Sequence, residues 1–215
     1  MIDKENSYPQ INIFFESYID WITQLFPDFS ILDTPIKSFK ADKLIEHQYA
    51  IFKSDILKND IIKISEQFDI PDYYSDFLLF YSYRNLETPL FSFPSTHPND
   101  NLSVIKSDIK HYIKYGLVPV FYDKHGTGNY CIDLHQEDAI VFYKNNELPS
   151  KSLRKEKLAS SFFSTLIFLR EYLDWGGNIT GLNDEDKSEA LLELKNIDLL
   201  INSTWSSWWL PRLIE

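Results

Sequence analysis

The sequence predicts an α+β protein in which an antiparallel β-meander sheet is packed by flanking helices. Up to residue 85, apolar side chains recur every three or four positions, as they do on one face of a helix. Between there and Lys144, the apolar runs become short and rich in Val, Ile, Phe and Tyr, with turn residues between them. Helical spacing returns from Leu158 onwards. This order favours helices on both sides of a meander.

The first part of the chain, residues 1–58, is expected to be a helical N-terminal extension. Apolar side chains from Asn12 to Phe26 have helical spacing, and Pro27 ends this core-facing helix. A loop with Pro35 follows. A second core-facing helix is then expected from the spacing of five apolar residues, which are Leu44, Ile45, Tyr49, Phe52 and Ile56.

Residues 59–175 are expected to form the central α+β domain. It opens with a helix near 61–68 and a second helix with Pro71 in its first turn, where a missing N–H has no intrahelical partner to lose. The remaining elements are a helix at 104–115, strands at 90–93, 117–122, 129–134 and 139–143, and a helix at 158–173. The turns between the last three strands are short, which predicts consecutive hairpins.

Residues 176–215 are expected to form a helical C-terminal extension on the same core. The Trp175-Gly176-Gly177-Asn178 segment ends the preceding helix, and Asn183 or Asp184 suits the cap of the next one. Three tryptophans follow at positions i, i+3 and i+4, namely Trp205, Trp208 and Trp209. This one-sided spacing favours burial of the indoles in the core over a role at an interface.

Composition indicates a folded, acidic protein without disulfides. The 215 residues are 44% apolar and 16% aromatic, which is enough to bury a core and too much for a disordered acidic chain. The single cysteine, Cys131, has no internal partner, and the polar first residues do not resemble an export signal. We therefore expect a cytoplasmic protein.

The net charge of −11 bears on the kind of partner. Acidic residues exceed basic ones in every third of the chain, so direct nucleic-acid binding is not expected. No membrane span is expected either, because polar residues interrupt the most apolar segment, 158–173. A basic partner protein would be attracted, although solubility alone also explains such a charge.

One group of residues has the chemistry of a zinc ligand set or a cysteine nucleophile. Cys131, Asp133 and His135 alternate along an expected strand, and His135 or His125 could act as a base. Side chains two positions apart on a strand splay by roughly 7 Å, and a small thiol inside a strand is usually buried. The Gly126 and Gly128 pair fits a hairpin turn better than a phosphate-binding loop. We expect no metal, no cofactor and no catalysis.

Five segments resemble the SUKH superfamily, the Smi/Knr-like domain family. In chain order, they are ISEQFDIPDYYSDFLLFYSYRN at 64–85, GLVPVFYD at 116–123, GNYCIDL at 128–134, AIVFY at 139–143 and LASSFFSTLIFL at 158–169. The most specific of them is the segment at 128–134. The resemblance implies paired strands between an opening pair of helices and a closing helix.

The resemblance also implies a function. Members of the superfamily resemble bacterial immunity proteins that protect against polymorphic toxins, often nucleases, and eukaryotic relatives act as interaction modules in cell-wall regulation. We therefore expect an immunity protein that covers the active surface of a cognate, basic toxin domain. An intracellular scaffold or regulatory interaction domain is the alternative, and a hydrolase that uses Cys131 and His135 is a third hypothesis.

Residues at the turns of the expected meander are the candidate partner-binding group. They are Asp123, His125, Asn129, Glu137 and Asp138. We expect the carboxylates among them to be solvated, as turn carboxylates usually are. The sequence does not predict an oligomeric state.

Overall fold

The computed structural model describes residues 8–36, 50–124, 126–144 and 156–214. The first part of the chain contains α1 (Pro9–Leu25), β1 (Ser30–Ile36), β2 (Ala50–Ser54), α2 (Lys58–Phe68), α3 (Asp72–Phe80) and β3 (Ser82–Tyr83). The middle contains β4 (Phe91–Ser92), α4 (Ser103–Tyr112), β5 (Leu117–Asp123), β6 (Gly128–Asp133), β7 (Ala139–Lys144) and β8 (Lys157–Ala159). The last part contains α5 (Phe162–Asp174), α6 (Asp184–Asn196), α7 (Leu199–Ser203), a π-helix (Trp205–Trp209) and α8 (Leu210–Ile214).

The expected antiparallel meander is confirmed as the centre of a five-stranded sheet. The strand order is β4-β5-β6-β7-β8, and every neighbouring pair is antiparallel. Cys131 lies in the middle of the sheet, opposite Pro119 on one side and Val141 on the other. Helices flank this sheet, so the α+β class is confirmed.

A second, three-stranded sheet corrects the prediction for the N-terminal extension. Its order is β1-β2-β3, with β1 and β2 parallel. The loop expected around Pro35 is strand β1, and the helix expected over 44–56 is wrong for Phe52, which lies in β2. Ala50, Ile51 and Phe52 are all buried because β2 is the central strand. A short, fully apolar run has the same pattern in a buried strand and a buried helix. The positions Leu44, Ile45 and Tyr49 lie outside the described residues.

The start of the closing helix also differs from the prediction. Leu158 belongs to strand β8, and α5 begins only at Phe162. The Ser161 side chain caps that helix by accepting a hydrogen bond from the Ser164 backbone N–H at 3.1 Å. Serine is a preferred N-cap because its hydroxyl replaces the missing intrahelical acceptor. The short strand is completed by pairing with β7, a long-range contact that the local pattern does not encode.

A continuous aromatic core joins the parts of the chain. Phe77 of α3 stacks on Phe15 of α1 with ring centroids 5.3 Å apart, and it meets Phe162 of α5 edge-to-face at 5.4 Å. Phe162 in turn stacks on Phe121 of β5 at 5.5 Å. Helix α1 also packs along α5. Residues of the expected extensions thus share the same buried cluster as the sheet, while the division of the chain at residues 58 and 175 stays a prediction.

The C-terminal extension is helical in its described part. Asn183 caps α6 by accepting a hydrogen bond from the Asp186 backbone N–H, as expected. Trp205 and Trp209 are buried, which confirms core packing for these two indoles. Trp208 is only partly buried because the π-helix turns wider than an α-helix and changes the faces that i, i+3 and i+4 share.

Candidate binding surface

The structure places the predicted partner-binding residues at opposite ends of strand β6. Asp123 and Asn129 lie where β5 turns into β6, whereas Glu137 and Asp138 lie where β6 turns into β7. The six residues of β6 separate the two turns by roughly 17 Å, at about 3.4 Å per residue. His125 lies outside the described residues. The four described candidates therefore do not form one compact patch.

Asp123 is buried, so its expected solvation is wrong. Its side chain accepts a hydrogen bond from the Thr127 hydroxyl at 2.6 Å and a longer one from the Thr127 backbone N–H at 3.4 Å. An aspartate at the end of a strand can accept hydrogen bonds from the turn in this way, and these bonds hold the Asp123 side chain at the end of β5. Asn129 is half-buried and donates to the Tyr112 hydroxyl at 3.1 Å. Both residues therefore have structural contacts.

The other turn carries more accessible carboxylates. Glu137 is exposed and Asp138 is half-buried, and both have left-handed backbone conformations with φ of 56° and 61°. Asp138 lies close to Tyr73 of α3, whose pKa is raised by burial and further by this carboxylate. Glu137 is thus the described candidate that best fits the expectation of a solvated turn acid.

Cys131 is buried and Asp133 stabilises a turn, whereas His135 is exposed. The Cys131 thiol is fully buried, and its pKa is raised by burial and then by the carboxylates of Asp108 and Asp133. Asp133 accepts hydrogen bonds from the His135 backbone N–H at 2.9 Å and from the Gln136 side chain, which stabilises the turn. Within the described part of the chain, no three His, Cys, Asp or Glu residues are grouped to hold a metal ion.

A groove at the end of α1 is the candidate surface that sequence reasoning missed. Its volume is about 1000 Å³, and it lies between the second half of α1, the 85–89 loop and Lys124. Its lining is mostly apolar and aromatic. The lining residues are Tyr18, Trp21, Ile22, Leu25, Phe26, Asp28, Phe29, Asn85, Glu87, Thr88, Pro89 and Lys124.

Two large apolar side chains at this groove are exposed to solvent. Leu25 is 53% exposed and Phe26 is 59% exposed, which corrects the expectation that the whole apolar face of this helix is core-facing. The helix ends here because Pro27 follows, and the Phe26 backbone N–H still bonds to the Ile22 carbonyl at 2.8 Å. The apolar spacing was a correct signal for the face. The apolar spacing does not show how far along α1 the other elements of the fold cover that face.

The indole of Trp21 forms a fixed wall of the groove. Its Nε1–H donates to the Gly176 carbonyl at 3.1 Å, just after α5 ends. Gly177 follows with a φ of 68°, and a Cβ atom there would lie 2.8 Å from the same indole nitrogen. A glycine is therefore required for both the turn and the close approach. These contacts hold the ring at the edge of the groove.

Charges at the groove are predominantly negative. Asp28 and Glu87 are exposed carboxylates in the lining, and Lys124 is the only cation among the described lining residues. The last turn of α1 has no basic residue, so its carbonyl groups add partial negative charge at the same place. Below the rim, burial raises the pKa of Tyr18, whose hydroxyl is hydrogen-bonded to the Glu87 backbone. The groove thus suits an apolar group that carries positive charge.

Comparisons with known proteins do not assign a family. No protein-family model matches the chain, and neither a curated protein nor a solved structure matches it. None of the helices in the described ranges has the length and hydrophobicity needed to cross a membrane.

Proposed function

We propose that this protein is a non-catalytic immunity protein of the SUKH type that neutralises a cognate, basic toxin domain in the cytoplasm. It would do so by covering the active surface of the toxin. The observation that carries the proposal is the apolar groove with an acidic rim, on a chain with a net charge of −11. The resemblance of five sequence segments to the SUKH superfamily supports the same function.

The exposed apolar side chains would provide much of the binding energy of such a surface. Leu25 and Phe26 are each more than half exposed, next to the partly buried Trp21. Adjacent apolar groups rimmed by polar ones are typical of protein interaction sites. Aromatic side chains near the centre of an interface also provide a large share of binding energy. This groove is therefore the surface that we assign to the toxin.

The negative charge of the protein would increase the rate of association with a basic toxin. An acidic inhibitor and a basic toxin attract each other over the Debye length, which raises the association rate by about 10- to 1000-fold at low salt. The attraction also favours basic partners over acidic ones.

The surroundings of Cys131 support a non-catalytic role over the hydrolase hypothesis. A cysteine acts as a nucleophile in its thiolate form, and a reactive thiolate lies in an accessible, electropositive environment. Cys131 is inside the sheet, and the charged groups that influence it are two carboxylates. Burial and these charges both favour the unreactive thiol.

The decisive experiment uses the product of a toxin gene encoded beside the gene for this protein. Co-expression should restore growth to cells that produce the toxin, and the two proteins should co-purify. The double variant Leu25→Ser/Phe26→Ser should lose protection while its melting temperature changes little, because both side chains are largely exposed. Leu192→Ser is the matched control, since Leu192 is 60% exposed on α6 and does not line the groove.

One result would reject the proposed function, and another would reject only the assignment of the groove. If no neighbouring gene product binds and deletion of the gene never sensitises cells, the scaffold hypothesis replaces it. If the double variant Leu25→Ser/Phe26→Ser retains protection, the function stands and the assignment of the groove is wrong.

A further inference from the structure

We propose that the groove at the end of α1 recognises an arginine side chain of the partner protein, stacked on Trp21 and Phe26 and paired with Asp28 and Glu87. The inference rests on the proposed function only in taking the partner to be a basic protein. It specifies the chemistry that the groove selects.

The aromatic lining favours a flat cation. Trp21, Phe26 and Phe29 all line the groove, and none of them is fully buried. A guanidinium group is planar and weakly hydrated, so it stacks on aromatic faces, and its three-carbon stem packs on apolar surface. The hydrogen bond from Trp21 to Gly176 fixes the ring before binding. Less side-chain entropy is then lost when the complex forms.

The rim supplies acceptors for the edge of the same group. The carboxylates of Asp28 and Glu87 lie in the groove lining, and the C-terminal carbonyls of α1 point to the same end of the helix. A guanidinium has five N–H donors in its plane, so it can stack on a ring and donate to carboxylates simultaneously. A lysine ammonium is a compact, strongly hydrated charge and fits this combination less well.

The protein contains one part of this arrangement elsewhere, with a backbone carbonyl as the acceptor in place of a carboxylate. The Arg212 guanidinium carbon lies 3.7 Å from the ring centroid of Trp208, and its Nη1–H donates to the Trp208 carbonyl at 3.1 Å. One arginine therefore stacks on an indole and hydrogen-bonds at its edge within the same fold. In the groove, the indole and the acceptors are present and the partner would supply the arginine.

Lys124 gives the proposal an internal test, because it lies in the groove lining and opposes a second cation. Replacing Lys124 with glutamine should tighten arginine binding, whereas Asp28→Asn and Glu87→Gln should weaken it. A groove that binds only through its apolar surface would respond to none of the three changes. All three residues are exposed, so the variants should keep the fold.

The test titrates the full-length protein with acetyl-Gly-Leu-Arg-Leu-Gly-amide and follows the Trp21 indole N–H signal by NMR. Matched peptides carry lysine or citrulline in place of arginine, and citrulline keeps the shape without the charge. We expect the arginine peptide to bind about threefold tighter than the lysine peptide and about tenfold tighter than the citrulline peptide.

The variants complete the design. Glu87→Gln and Asp28→Asn should each raise Kd by about threefold, and Lys124→Gln should lower it by a similar factor. Glu185→Gln, an exposed carboxylate on α6, is the matched control and should leave Kd unchanged. Equal binding of the arginine and citrulline peptides would overturn the proposal, as would the absence of any shift at Trp21.

The result is separable from the test of function. If growth is rescued but the arginine peptide does not bind in the groove, only this inference fails. If the peptide binds as described but no neighbouring toxin is neutralised, the immunity function fails and the arginine site remains.

Discussion

Two helix ends in this protein are rich in large apolar side chains, and they differ in how far those side chains are buried. At the C-terminal π-helix, Trp209 is fully buried, and its Nε1–H donates to the Leu158 carbonyl of β8 at 3.0 Å. At the end of α1, Leu25 and Phe26 are more than half exposed beside a groove. Both segments place apolar residues on one helical face. The difference lies in what packs against that face.

The comparison shows how a fold separates core from binding surface. Trp209 contacts rings from two other elements, Phe91 of β4 and Phe168 of α5, at 6.3 and 4.6 Å. On α1, Phe15 and Tyr18 are buried about two to three turns before Leu25 and Phe26, so the elements that cover this face stop before the helix ends. Uncovered apolar surface is unfavourable in isolation, and a partner that buries it gains that free energy.

The largest expected effect on stability comes from a substitution in the C-terminal π-helix, the end that other elements cover. Trp209→Ala should lower the free energy of unfolding by about 3–5 kcal/mol, because removal of a fully buried indole leaves a large cavity and takes a hydrogen bond from the Leu158 carbonyl. Phe26→Ala is the matched aromatic change at the uncovered end and should alter it by less than about 1 kcal/mol. Urea denaturation of both variants measures this. Similar losses for the two would mean that the ends do not differ as described.

A smaller loss of stability is expected when the hydrogen bonds of Asp198, near the C-terminal π-helix, are removed. The Asp198 carboxylate caps α7 by accepting from the backbone N–H groups of Leu200 and Ile201, and it also accepts from Ser160 before α5. Asp198→Ala should lower the free energy of unfolding by about 1–2 kcal/mol. An unchanged denaturation midpoint would contradict this role. Asn202→Ala, on the exposed side of α7, is the control.

The same carboxylate predicts a pH dependence. Burial alone would raise the pKa of Asp198, but hydrogen bonds from Ser160, Ser164 and Leu200 outweigh it and hold the pKa below its ordinary value. The folded state therefore binds this proton less readily than the unfolded state. Its contribution is complete above the unfolded pKa of about 3.9 and is lost as the pH falls through the lower folded value. The stability difference between wild type and Asp198→Ala should shrink over that range in acid denaturation curves.

The smallest expected effect extends the comparison to the two turns of β6. Asp123→Ala should cost about 1 kcal/mol, because the Thr127 hydroxyl and N–H lose their acceptor. Glu137→Ala should change stability by less than about 0.5 kcal/mol, since Glu137 is exposed. Thermal melts of the two variants test this contrast. Equal melting temperatures would show that Asp123 does not hold its turn.

Much of the meander was predictable because its pattern is local. Strands β5, β6 and β7 match the expected segments to within one residue at each end, and short turns join them. The antiparallel pairing follows from those turns. The N-terminal helix was equally predictable, since helical spacing and Pro27 define its face and its end.

The candidate groove could not be predicted in the same way. It brings together α1, the 85–89 loop and Lys124, and the lining residues Tyr18 and Lys124 are more than 100 residues apart in the sequence. Trp21 is also held by Gly176, which follows α5. A sequence pattern shows that Leu25 and Phe26 are apolar and share a face. The pattern gives no sign that the described elements leave the last turn of that face uncovered.

The sequence by itself determined the α+β class, the meander, the faces of α1 and the acidic charge, because these follow from local spacing and composition. Only the tertiary structure decided that Ala50 to Ser54 is a central strand, that Asp123 is buried and that the end of α1 opens onto a groove. The physical reason is the same in each case. Burial and strand pairing depend on which distant segments come together, and a short apolar run or a single carboxylate carries no information about its neighbours in space.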